Sequence, residues 1–197
     1  MTPVFAVETR RKIARAAIFM AATAAVWACD APVRLRADQP NVNQFFSAAA
    51  ITGTPTNSPV ALSLTNKAIT RLDGGFDFDI AFDLNALGKP VILPIGLVGT
   101  PIGGAHLVGL KRMSGVFDSV TEAPKSGYVF DSTVVVSAGQ VLAIQAQVSI
   151  CSYSITPYIF AKVVIDSVQM PTRTLFGRTL INLNCGFRSL VPGTPTF

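Results

Sequence analysis

The residues best suited to chemistry in this sequence are three aspartates in one alternating stretch, Asp77, Asp79 and Asp83. Carboxylate oxygens are ligands that calcium prefers. On an extended strand, however, Asp77 and Asp79 would stand about 6.5 to 7 Å apart along the chain. No Asp-x-Asp-x-Asp-Gly loop accompanies them. We therefore interpret the three carboxylates as the solvated face of a strand, which also discourages edge pairing, and keep a calcium site as the alternative.

His106 is the only histidine in the chain. A single histidine excludes a histidine-rich zinc site, and the three cysteines lack the spacing of metal ligands. As a general base it would need a nucleophile, but no Gly-x-Ser-x-Gly elbow is present. The nearby stretch from Gly99 to Gly104 lacks the Gly-x-Gly-x-x-Gly order of a phosphate-binding loop. We predict a structural imidazole at the start of a strand, with no catalytic residue, metal or cofactor.

A third candidate is the tight segment Asn184–Ser189, which contains Gly186, Phe187 and Arg188. It combines a cysteine, a glycine and an arginine close to the end of the sequence. We interpret it as a structural latch. A recognition loop formed by Gly186, Phe187 and Arg188 is the alternative.

These candidates must be positioned by β-strands. From Phe76 to Leu84 every even position is large and apolar, and three of the four odd positions are aspartate. Such alternation predicts a strand with one buried and one wet face. Ala138-Gly139 predicts a hairpin between Tyr128–Ser137 and Gln140–Ile150. Eight to ten short strands separated by turn residues predict an all-β fold, an antiparallel β-sandwich that is Ig-like or jelly-roll-like.

The amino-terminal stretch has the organisation of an export signal. An apolar run of 11 residues covers positions 16–26, whereas a membrane-spanning helix needs about 20. We therefore predict a signal peptide at residues 1–28, in which a cationic cluster precedes a signal helix. The cluster consists of Arg10, Arg11, Lys12 and Arg15. The Sec and twin-arginine routes both remain open.

The four residues Val26-Trp27-Ala28-Cys29 resemble the lipobox of bacterial lipoproteins. This resemblance implies cleavage before Cys29 and attachment of a diacylglycerol to its thiol. The protein would then be held on a membrane by lipid, either in the periplasm or at the cell surface. An ordinary cleavable signal peptide is the alternative.

The assignment of Cys29 decides how the other two cysteines are interpreted. If Cys29 carries lipid, Cys151 and Cys185 remain as an even pair in an oxidising compartment. We therefore predict a disulfide between Cys151 and Cys185. Two buried free thiols are the alternative.

The charge of the chain is mostly a property of the predicted signal. The formal net charge is +5, but residues 1–28 hold four of the 16 basic and one of the 11 acidic residues. The remaining 169 positions suit one domain, with a tether at 29–43 and a single β-sandwich at 44–197. No basic run remains in this part, so a nucleic-acid partner is not predicted.

These features predict an exported, lipid-anchored module of the cell envelope with a binding or structural role. Its expected partners are the membrane, through Cys29, and an envelope protein or a hydrophobic ligand. A carrier with an apolar cavity is the first alternative, because the chain has few charges and many apolar runs. A secreted enzyme that uses His106 is the second, and it requires a carboxylate and a nucleophile in the same cleft.

Overall fold

A computed structural model describes residues 37–73, 77–99 and 106–195 of the chain. The predicted signal helix and Cys29 lie outside these residues. The described chain forms two antiparallel sheets of five strands each, which confirms the β-sandwich. The strands are β1 (Asn43–Ala49), β2 (Ala61–Ser63), β3 (Ala68–Thr70), β4 (Ile80–Leu84), β5 (Pro90–Pro94), β6 (Val108–Arg112), β7 (Val134–Val135), β8 (Val141–Gln147), β9 (Tyr158–Gln169) and β10 (Thr174–Asn182).

In the part of the chain that the structure describes, the ten strands are divided between two sheets, and three short helices lie between them. One sheet has the order β1-β10-β9-β8-β6 and the other has the order β3-β2-β4-β5-β7. Short 3-10 helices cover Ile95–Leu97, Phe117–Ser119 and Ser149–Cys151. Within the described residues, no helix is long and apolar enough to span a membrane.

The main core lies between the inner faces of the two sheets. Phe82 of β4 is fully buried and stacks on Phe46 of β1, with 5.2 Å between ring centroids. Burying aromatic and branched aliphatic side chains stabilises the fold by about 1.5 to 3 kcal/mol each. Other fully buried core residues are Leu62, Ile80, Ile92, Leu110, Leu142, Ile144, Ile159 and Ile165.

Strand β9 is buried on both faces over most of its length. Its inner face joins the main core, and its outer face packs against a second cluster that contains Phe117, Val120 and Leu190. This arrangement explains the continuous apolar run in the sequence of β9. Lys162 interrupts the run, and its Nζ donates hydrogen bonds to the carbonyl oxygens of Phe117 and Val120 at 2.8 and 2.9 Å. Burial lowers the pKa of the Lys162 ammonium below its ordinary value.

Gly177 of β10 lies where the chain has no room for a side chain. It lies at a register shift between β9 and β10, and a Cβ added there would overlap the carbonyl oxygen of Val164 and the ring of Phe46. A side chain at this position would force both neighbours to move.

We expect Gly177→Ala to lower the free energy of unfolding by about 2 to 3 kcal/mol, because the backbone oxygen of a central strand cannot move aside freely. The matched control is Gly96→Ala, since a Cβ at Gly96 meets nothing within 4 Å. Urea denaturation of both variants measures the difference. Equal midpoints for the two variants would contradict the overlap at Gly177.

Three sequence predictions need correction. The strand predicted over Phe76–Leu84 is shorter, and Asp79 is 2% exposed instead of facing solvent. The predicted hairpin at Ala138-Gly139 is wrong, because β7 pairs with β5 while β8 pairs with β6 and β9 in the other sheet. The predicted tether is partly docked, since Asn41 is buried and bridges Gly193.

Candidate functional site

A histidine–aspartate pair, in which the carboxylate is buried and the imidazole is partly buried, joins the two sheets at one end of the sandwich. Asp79 comes directly before β4 and His106 comes two residues before β6, so their side chains start from different sheets. The Oδ1 atom of Asp79 lies 2.7 Å from Nε2 of His106. Its Oδ2 atom accepts a hydrogen bond from the backbone N–H of Leu64 at 2.6 Å. Both carboxylate oxygens are therefore engaged, as burial of a charged group requires.

The backbone fixes Asp79 in this position. Its N–H donates to the carbonyl oxygen of Leu62 at 2.9 Å, and its own carbonyl accepts from the N–H of Ile95 at 2.9 Å. The carboxylate is thus presented by backbone that is hydrogen-bonded to its neighbours and not by a free loop. The position of the acceptor for the His106 ring is therefore fixed.

The hydrogen bond to Asp79 raises the pKa of the His106 imidazole above its ordinary value of 6.5. Burial opposes this shift, and the negative charges of Asp79 and Asp77 reinforce it. His106 therefore keeps its proton to a higher pH than an exposed histidine does.

A pocket of about 380 Å³ opens beside His106. Its volume falls within the range of about 300 to 1,000 Å³ that is typical of small-molecule sites. The lining combines hydroxyl, amide and imidazole groups with two apolar side chains, and consists of His106, Gln147, Val148, Ser149, Ser152 and Pro157.

The pocket brings together part of what an enzyme would need. His106 meets a carboxylate, and two serine hydroxyls line the same pocket. However, the hydroxyl of Ser152 donates to the carbonyl oxygen of Ser149 at 2.7 Å, and no hydrogen bond joins His106 to a serine among the residues described here. Nucleophilic catalysis depends on a base within hydrogen-bond reach of the nucleophile. The arrangement as it stands is suited to binding through hydrogen bonds.

The predicted disulfide lies at the same end of the molecule. Cys151, at the end of a 3-10 helix after β8, is bonded to Cys185, three residues after β10. Cys151 is fully buried. The bond ties the segment between β8 and β9, which lines the pocket, to the end of β10.

Comparison with protein-family models, with curated proteins and with solved structures gave no match.

The three aspartates considered for calcium have different surroundings. Asp83 accepts hydrogen bonds from the N–H and the hydroxyl of Thr52 at 2.9 and 2.7 Å, whereas Asp79 binds His106 and Leu64. Asp77 is exposed. Within the described ranges, no three His, Cys, Asp or Glu side chains are grouped as metal ligands. Because both oxygens of Asp79 already have partners, the calcium alternative gains no support from this geometry.

The segment around Gly186, Phe187 and Arg188 is held by the rest of the domain. The N–H of Gly186 donates to the carbonyl oxygen of Tyr158 at 2.9 Å, and Phe187 is buried. Arg188 donates to the carbonyl oxygen of Ala123 and forms an ion pair with Glu122. These contacts are those of a structural latch, and a recognition role for this segment stays a prediction.

The pairing of Asp79 with His106 is the functional feature that the sequence interpretation missed. The two residues are 27 positions apart and precede strands of different sheets. The alternating pattern assigned Asp79 to the wet face together with Asp77 and Asp83. The one usable signal was that a lone histidine near a strand start needs a partner when it is buried.

Proposed function

We propose that the protein is an exported module of the cell envelope, held on a membrane by lipid at Cys29, with a non-catalytic binding or structural role. The observation that carries this proposal is the Cys151–Cys185 disulfide. Disulfides persist in oxidising compartments and are rare in the cytosol. The bond also uses two of the three cysteines, which leaves Cys29 in the lipobox-like stretch for the lipid.

The pocket beside His106 supports the binding role. It offers an imidazole, an amide and two hydroxyls in a space large enough for a small ligand or for a side chain of a partner. We therefore place the binding surface of the module at the end of the sandwich that carries His106 and the disulfide.

A carrier of a hydrophobic ligand is the second candidate. It is favoured by a pocket of about 270 Å³ near β2 and β3, whose mainly apolar lining includes Ile51, Val60 and Leu72. This volume lies below the range of about 300 to 1,000 Å³ typical of small-molecule sites. We rank the carrier second for that reason.

The intact mass of the protein recovered from bacterial envelopes tests the proposal. We expect a polypeptide that starts at Cys29 and carries acyl chains, with two further thiols that react with an alkylating agent only after reduction. The matched control is Cys29→Ser, which should lose the acyl mass and keep the two protected thiols. A full-length mass with three freely reactive thiols would contradict export, anchor and disulfide together.

A further inference from the structure

The segment 149–157 between β8 and β9, here called the tip loop, exposes large apolar side chains. Ile150 is 51%, Tyr153 104% and Ile155 78% exposed. The tip loop contains no charged residue. Exposed apolar side chains that lie together are a feature of surfaces that bind a partner or a membrane.

The tip loop is fixed by a disulfide and by backbone hydrogen bonds. The Cys151–Cys185 disulfide fixes its first part to the end of β10. Within the loop, the N–H of Ser152 donates to the carbonyl oxygen of Ser149 at 3.1 Å. The N–H of Ser154 donates to the carbonyl oxygen of Cys151 at 2.9 Å. The apolar side chains are therefore presented by an ordered backbone, which lowers the entropic cost of binding.

The described chain begins beside this loop. The backbone N–H groups of Asp38 and Gln39 donate to the side-chain oxygen of Asn184 at 2.9 and 3.1 Å. The Nδ2 group of Asn184 donates in return to the carbonyl oxygen of Gln39 at 2.8 Å. Asn184 directly precedes Cys185, which is bonded to the tip loop. The chain therefore leaves the domain towards Cys29 from the end that carries the tip loop.

The reach of the intervening chain limits which surface can meet the membrane. Cys29 precedes Asp38 by nine residues, and nine residues span at most about 30 Å when fully extended. The 12 residues of β9 extend over about 40 Å. An anchor at Cys29 thus holds the membrane within about 30 Å of the end that carries the tip loop, which is less than the length of β9.

We propose that the tip loop inserts into the surface of the bilayer to which Cys29 is anchored, with Tyr153 at the level of the lipid headgroups. This inference rests on the lipid anchor of the proposed function. Tyrosine is enriched at membrane–water interfaces because its ring is apolar and its hydroxyl is polar. Since the tip loop has no charge, insertion uses apolar burial and does not need anionic lipid or low salt.

Tryptophan fluorescence of the full chain, matured in bacteria and placed in zwitterionic phosphatidylcholine vesicles, tests this orientation. The only tryptophan is Trp27, which is removed by cleavage before Cys29, so Tyr153→Trp gives a mature protein with one tryptophan. Its matched control is Leu87→Trp, because Leu87 is also an exposed apolar residue, at 80%. Leu87 lies in the turn after β4, at the opposite end of that strand from Asp79 and the pocket.

We expect the emission of Tyr153→Trp to move to shorter wavelength and to be quenched by nitroxide-labelled lipid, equally at low and high salt, while Leu87→Trp is unaffected. If a lipidated protein shows no quenching of Tyr153→Trp, or equal quenching of the two variants, the tip-loop inference is wrong and the anchor stands. A blue-shifted but unquenched Tyr153→Trp would assign the loop to a contact with a second copy of this chain, the only other protein in the sample, and also overturns the inference. A mass without acyl chains refutes the anchor, and the inferred orientation with it.

Discussion

A variant in which Cys151 and Cys185 are both replaced by alanine should lose about 4 kcal/mol of its free energy of unfolding under oxidising conditions. The two cysteines are 34 positions apart, and the disulfide removes the conformational entropy of that loop from the unfolded chain. The effect is large compared with the total stability of a domain of this size, which is about 5 to 15 kcal/mol.

Urea denaturation with and without reductant separates the cross-link from the change of side chain. The parent chain should fall towards the value of the double variant when reductant is added, and the variant should not respond to reductant. A parent chain whose midpoint is indifferent to reductant would refute the disulfide and remove the main support for export.

Replacing Asp79 by alanine should give the second large effect, a loss of about 3 kcal/mol, because the largely buried Nε2 group of His106 loses its hydrogen-bond acceptor. It also leaves the backbone N–H of Leu64 without its acceptor. Asp77→Ala is the matched control, since Asp77 is exposed and lies two positions away. A surface substitution of that kind changes stability by about 0.5 kcal/mol or less. Similar losses in the two variants would show that the Asp79–His106 pair is not the cause.

The same pair predicts the direction of a pH dependence. The hydrogen bond to Asp79 raises the pKa of His106 in the folded protein above the ordinary value of 6.5. For a raised histidine pKa, the added stability is fully present below the unfolded-state value and is lost as the pH rises through the folded-state value. The parent chain should therefore become less stable as the pH rises from 6.5 through the folded-state pKa of His106. Asp79→Ala should flatten this part of the curve, and an unchanged slope would exclude His106 as its source.

The sandwich itself was predictable because turn residues recur between short apolar runs. The disulfide was predictable from the number of cysteines and from the signal-like start of the chain. The pairing of the strands within the two sheets was not predictable. Ala138-Gly139 indicates a reversal of the chain, and Gly139 has the positive φ of 80° that suits a turn. Nothing local indicates that β7 and β8 then enter different sheets, because that choice is made by the strands they meet.

The surroundings of the buried charged residues could not be predicted from the sequence either. Asp79 follows the alternation of a wet strand face, yet its partner His106 comes from the other sheet. Lys162 stands in an apolar run, and the carbonyl groups that solvate it belong to Phe117 and Val120. Periodicity reports which face a residue occupies, but it carries no information about polar groups that are brought over that face by a distant segment.

The pairing of β1 with β10 has a consequence for the timing of folding. The two strands are paired along the whole of β1, and Asn41 bridges Gly193, so the beginning and the end of the domain close the same sheet. Because a polypeptide is synthesised from its amino end, β1 leaves the ribosome long before β10. In the described sheet β1 is an edge strand whose one neighbour is β10, and such non-local pairing forms slowly. Cys185 also follows β10, so neither the sheet nor its cross-link can be completed until nearly all of the domain has been synthesised.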